Sequence, residues 1–101
     1  MNLSNFEKQI QSNAHVIVKF GTEYCQPCKV LEKSIENVLA SNIDILFMSL
    51  DAEDEAELSS HFKIRSVPTL LFFRNGQMVD KSVGVISEEN LITKIQTLQN
   101  G

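Results

Sequence analysis

The sequence is 101 residues long, with 9 Lys plus Arg against 13 Asp plus Glu and a formal net charge of -4. That length fits one domain, 1–101, built on a single core, and 4 Gly and 2 Pro are too few for a disordered or low-complexity chain. The acidic balance offers no footprint for a nucleic-acid backbone, and no apolar run approaches the roughly 18 residues that span a membrane.

Met1 to Ile10 lacks the basic and apolar regions of a secretory signal, so the expected address is cytoplasmic. Only two cysteines occur, Cys25 and Cys28. In a reducing compartment, that spacing points to catalysis or metal binding rather than to a structural bridge.

In chain order, Ser4 to Glu7 has the form of a capping box, and Leu3, Phe6 and Ile10 recur at helical spacing, which predicts a short opening helix. His15 to Phe20 is β-branched and almost continuously apolar, the pattern of a central strand covered on both faces. Lys19 is its exception. From Pro27 onward, Val30, Leu31, Ile35, Val38 and Leu39 form an apolar stripe opposite Lys29, Glu32, Lys33 and Glu36, which predicts an amphipathic helix of about four turns.

Asp44 to Leu50 reads as a second buried strand, reached by a parallel crossover. Asp51 to Glu57 holds five acidic residues in seven positions, suited to a solvated loop and the start of a helix. Thr69 to Phe73, a turn at Arg74 to Gln77 containing Asn75-Gly76, and Met78 to Val83 predict a β-hairpin. Ser87 caps a last helix, with Leu91, Ile95 and Leu98 on one face. The order αβαβαββα implies an α/β fold, a three-layer α/β/α sandwich around a central mixed sheet.

Two cysteines at i and i+3 at a helix start lie on neighbouring positions, close enough for a disulfide to form without large backbone movement. Cys25 would sit where unpaired N–H groups and the positive end of the helix dipole favour a thiolate, which makes it the candidate nucleophile. Pro27 suits the first turn, where its missing donor costs little. Cys28, one turn deeper, is placed to resolve a mixed disulfide. A zinc site would need about four ligands, and only His15 and His61 could add to the pair within one chain, at spacings of no known zinc pattern. A four-cysteine site shared by two chains, or a merely packed Cys28, are the alternatives.

From about His15 to Leu98 the sequence resembles the thioredoxin family. The resemblance rests on Phe20 to Lys29 (FGTEYCQPCK) after a strand, Val67-Pro68-Thr69 before a strand, and Gly84 after the hairpin. It implies the thioredoxin fold with four solid strands and a reduced or absent N-terminal strand, and a cis-proline at Pro68. It also implies a docking groove around Cys25 formed by Tyr24, Gln26, Pro27, Ser66, Val67, Pro68, Gly84 and Val85.

The implied activity is reduction of protein disulfides through a Cys25–Cys28 couple, as part of cytoplasmic redox homeostasis. The alternative is a thioredoxin-like binding or redox-sensing module with weak turnover. No cofactor would be bound. Electrons would come from NADPH through a flavin-dependent thioredoxin reductase, and the partners would be disulfide-containing client proteins met by a monomer.

The sequence departs from the family pattern near the site. The usual CGPC is CQPC, Gly21 stands in place of a tryptophan, and Tyr24 stands where another tryptophan is usual. Lys19 aligns with a buried aspartate, and Phe47 with that aspartate's companion lysine. Two readings of Lys19 follow. It reaches solvent or a carboxylate such as Glu23 or Glu32, or its ammonium lies near Cys28 as a modulator of that thiol's pKa.

Overall fold

A computed structural model describes residues 1–41 and 44–100. Its elements are α1 (Leu3–Gln11), β1 (His15–Gly21), α2 (Gln26–Leu39), β2 (Ile45–Asp51), α3 (Ala56–His61), β3 (Thr69–Arg74), β4 (Gln77–Val83) and α4 (Glu88–Asn100). This is the order that the hydrophobic periodicity predicts. The strands lie side by side as β2-β1-β3-β4, with β1 parallel to β2 and antiparallel to β3, and β3 antiparallel to β4.

The pleat of β1 divides the interior into two layers, because successive side chains point to opposite faces. Ile17 joins Leu31 and Ile35 of α2, Leu70 and Phe72 of β3, and Leu91, Ile95 and Leu98 of α4 in one cluster. Val16, Val18 and Phe20 join Phe6 and Ile10 of α1, Leu58 of α3, and Leu71 and Phe73 of β3 in the other. Helices therefore cover both faces of the mixed sheet, as expected. Phe6, Phe62 and Phe73 meet edge to face in the second layer, the geometry that aromatic quadrupoles favour.

Two local expectations are corrected. The cap of α1 is Asn2, whose side chain accepts from the Asn5 N–H at 2.8 Å, so the helix starts before Ser4 can serve as its cap. β2 is not a buried strand. It lies at the sheet edge, and of its residues only Ile45 is buried, because one strand flank and parts of both faces lack cover.

Asn75 and Gly76 both take positive φ, as a primed hairpin turn requires, and a Cβ at Gly76 would come within 2.9 Å of the Gln11 side chain. A register shift between Phe72 and Phe73 bulges the hairpin. The acidic run is ordered by its own first member, since Asp51 Oδ1 accepts from the N–H groups of Glu53 at 2.8 Å and Asp54 at 3.2 Å.

α3 ends in a Schellman arrangement, with the Ile64 N–H donating to the Ser59 carbonyl at 2.8 Å and Lys63 left-handed at φ 55°. A side chain is disfavoured at that φ, and Lys63→Gly is expected to stabilise the protein by about 0.5–1 kcal/mol. A higher urea midpoint at unchanged slope is the measurement that checks it.

Candidate active site

The site lies at the end of the sheet where β1 finishes and β3 begins. Phe20 pairs with Thr69 and Thr69 with Val83, so the next position along brings Gly21, at the end of β1, beside Pro68 and Gly84, which lie just outside β3 and β4. The Gly84 N–H donates to the Pro68 carbonyl at 2.8 Å, extending the ladder past Thr69. The Val67–Pro68 peptide bond is cis, as the resemblance implies.

Thr69 is buried, and its hydroxyl donates to the Ser66 carbonyl at 2.7 Å, tying down the loop before the proline. The sequence motif contains this threonine, but only the fold shows what its hydroxyl holds. Gly84 has φ +91° and nothing within 4 Å of where a Cβ would be. A side chain there would project into open space rather than into the core, so this glycine leaves the end of the sheet uncovered.

From Gly21 the chain turns through Thr22 to Tyr24 into α2, and Cys25 is the N-cap residue. Its extended backbone leaves its carbonyl to accept from the Lys29 N–H at 3.3 Å, while its Sγ accepts from the Cys28 N–H at 3.2 Å. Cys25 and Cys28 form a disulfide, with Cα atoms 5.3 Å apart. Pro27 occupies the first turn, where no backbone donor is needed. The two sulfurs differ in setting, since Cys25 is half-buried and Cys28 is 1% exposed.

Among the other predicted groove residues, Gln26, Pro27, Ser66 and Val85 are exposed, Val67 is half-buried and Pro68 is buried. Tyr24 is 88% exposed and stands out from the surface. With exposed Val30, Val83 and Val85 it adds apolar surface to this part of the chain. Phe20 and Phe72 are fully buried core residues.

Lys19 is 6% exposed and pairs with a carboxylate, as the first of the two sequence readings expects. Its ammonium donates to Glu32 Oε1 at 3.2 Å, and it also borders the space beside Cys28. A hydrogen bond from the Ser49 side chain holds the Glu32 carboxyl below its usual range. The Lys19 ammonium adds to this effect and partial burial opposes it. Phe47, aligned with the family's lysine, packs instead against the layer of α2 and α4.

The histidines lie elsewhere. His15 begins β1 at the other end of the strand from Gly21, and His61 ends α3 against Phe62. Among the described residues, no group of three or more His, Cys, Asp or Glu could hold a metal ion. No helix among them is long and apolar enough to cross a membrane.

A four-stranded α/β sandwich with a CxxC disulfide in the first turn of a helix defines a thiol-disulfide oxidoreductase. The thioredoxin family model matches residues 1–97, and a thioredoxin of Mycoplasmoides gallisepticum is 36% identical over 90 residues, covering 89% of this chain and 90% of that one. The chain belongs to the thioredoxin family, and its activity is protein-disulfide reduction.

A thioredoxin of Staphylococcus saprophyticus is also 36% identical, over 95 residues, covering 92% of this chain and 89% of its own. The fold agrees with that of a mutant thioredoxin from Halobacterium salinarum at a TM-score of 0.87 and 28% identity, covering 97% of this chain and 86% of that one. The oxidised thioredoxin of Plasmodium falciparum superposes at a TM-score of 0.82 and 29% identity, with 95% and 91% covered.

Proposed function

We propose that this chain is a divergent bacterial-type thioredoxin with a CQPC site, in which Cys25 is the nucleophile and Cys28 the resolving thiol. The observation that carries the assignment is the asymmetry of the pair. Cys25 caps α2, within reach of the unpaired N–H groups and the positive helix end, and is partly open to solvent. Cys28 is enclosed behind it.

In the forward reaction the Cys25 thiolate attacks one sulfur of a client disulfide. That bond breaks, a Cys25–client disulfide forms, and the first client thiolate leaves. Cys28, as thiolate, then attacks Cys25 Sγ. The second client thiolate leaves, the Cys25–Cys28 disulfide closes, and solvent protonates the two client thiolates. The client gains two electrons and two protons, both electrons coming from the dithiol.

The client segment would lie in a groove formed by Tyr24, Gln26, Pro27, Ser66, Val67, Pro68, Gly84 and Val85. Support for this reading comes from the exposure of most of these residues and from the uncovered backbone at Gly84. Electrons to regenerate the dithiol would come from NADPH through a flavin-dependent thioredoxin reductase. The chain would work as a single domain, a monomer in the cytoplasm, with disulfide-containing proteins as clients.

Trapping tests the assignment. Cys28→Ser is expected to accumulate clients joined to Cys25 through disulfides that dithiothreitol releases, whereas Cys25→Ser captures none. Equal capture by the two variants would sink the division of roles.

A further inference from the structure

Lys19 sits in the middle of the sheet, between Ser49 on β2 and Leu70 on β3, and is almost wholly enclosed. A cation in such a place needs a partner, and the Glu32 carboxylate supplies one at 3.2 Å. The pair alone does not account for a second fact. A Cβ built on Gly21 would lie 3.1 Å from Cys28 Sγ and 3.4 Å from Lys19 Nζ. The sulfur and the ammonium therefore border the same small space, which the glycine leaves free.

We propose that Lys19 is the residue that favours the Cys28 thiolate for the resolving step, with Glu32 anchoring its ammonium beside the sulfur. This rests on Cys28 being the resolving thiol.

The physical need is specific to Cys28. An enclosed sulfur disfavours the anion, yet only the anion attacks the mixed disulfide. A nearby enclosed cation offsets that cost, because its field is little screened by solvent. Glu32 carries the opposite charge, but its side chain is 35% exposed against 8% for Lys19. It is also hydrogen-bonded by Ser49. Its field at the sulfur is therefore more strongly screened than that of the ammonium.

Glu23, Lys29 and Asp51 line the same open cleft of about 290 Å³ with Lys19 and Glu32, and they complete the charged groups around it. During resolution the Cys28 proton leaves to solvent, the thiolate forms the bond to Cys25 Sγ, and the client thiolate departs.

The test uses the reduced protein and a small aromatic disulfide whose thiolate product is coloured. Attack by Cys25 releases the first equivalent, and attack by Cys28 on the mixed disulfide releases the second. The two phases therefore report the two cysteines separately. Lys19→Met is expected to leave the first phase within about twofold, to slow the second about tenfold at neutral pH, and to raise its pH midpoint by about one unit.

Lys19→Arg restores most of the rate, and Glu32→Gln, whose amide oxygen still accepts from the ammonium and keeps it in place, moves the midpoint down because the counter-charge is gone. A second phase with unchanged rate and midpoint in Lys19→Met overturns the proposal. So does a slowed second phase in Glu32→Gln, which would make the carboxylate a proton acceptor instead. Persistence of the second phase in Cys28→Ser overturns the resolving assignment itself and is recognisable as such.

Discussion

Cys25→Ser is expected to lower the rate of protein-disulfide reduction at least about a thousandfold, equivalent to about 4 kcal/mol or more of transition-state stabilisation. The nucleophile in this exchange is a thiolate. A serine hydroxyl in the same place is scarcely ionised at neutral pH and does not form a mixed disulfide. In the proposed mechanism the N-cap position of Cys25 helps a thiol because its anion is the reacting species, and the same helix end cannot bring a hydroxyl into range.

Reduction of insulin by dithiothreitol, followed as turbidity, measures the effect. The wild-type chain should accelerate it and the variant should follow the uncatalysed background. A wild-type rate no greater than background would favour the binding or sensing module. Folding is not at issue for Cys25→Ser, because Cys25 is partly exposed at the helix start and belongs to neither core cluster.

Phe72→Ala is the substitution expected to cost most in stability, about 3–5 kcal/mol. Phe72 is fully buried on β3, which lies between β1 and β4, and its ring packs in the layer shared with α2 and α4. The Lys94 ammonium lies 5.9 Å from the ring centre, so a cation–π attraction adds to the dispersion energy that the ring supplies. The other side chains of this cluster come from β1, α2, β2 and α4 as well as from β3, and cannot all collapse into the vacated space.

Against a total stability of about 5–15 kcal/mol for a domain of this size, that loss lowers the thermal midpoint by ten degrees or more, roughly, at 4–8 °C per kcal/mol. Ile92→Ala on the outer side of α4, where the side chain is 42% exposed, should stay within about 0.5 kcal/mol. Thermal melts of the two variants against the parent give the comparison.

The elements were legible because their signals are local. The helix of Val30 to Leu39 follows from a period of 3.6, the strand of His15 to Phe20 from a β-branched apolar run, and the hairpin from Asn75-Gly76. Legibility failed where a choice depends on what lies alongside. Asn2 and Ser4 are both good caps, and only the path of the chain into α1 selects Asn2. Asp44 to Leu50 is apolar enough for a central strand, yet sheet order places β2 at the edge. Sequence composition carries no information on which flank of a strand is paired.

At the site, the cysteine pair, the proline in its first turn and the expectation of a reactive dithiol all came from residues close together in the chain. For Lys19 the sequence offered two readings as alternatives. The fold places Glu32 on α2 within 3.2 Å of its ammonium, and Cys28, one turn earlier on that helix, lies against the same end of the strand. The role of Thr69 and the open side of Gly84 likewise depend on backbone conformation and on neighbouring strands.

The sequence by itself determined that this chain forms a small α/β sandwich with a CxxC dithiol at a helix start, since periodicity, turn chemistry and cysteine spacing act over a few residues. Tertiary structure alone decided which cysteine is enclosed, which strand lies at the edge, and that a buried lysine shares its space with a sulfur. Burial and charge proximity are set by segments far apart in sequence, and they exist only once the sheet has brought those segments together.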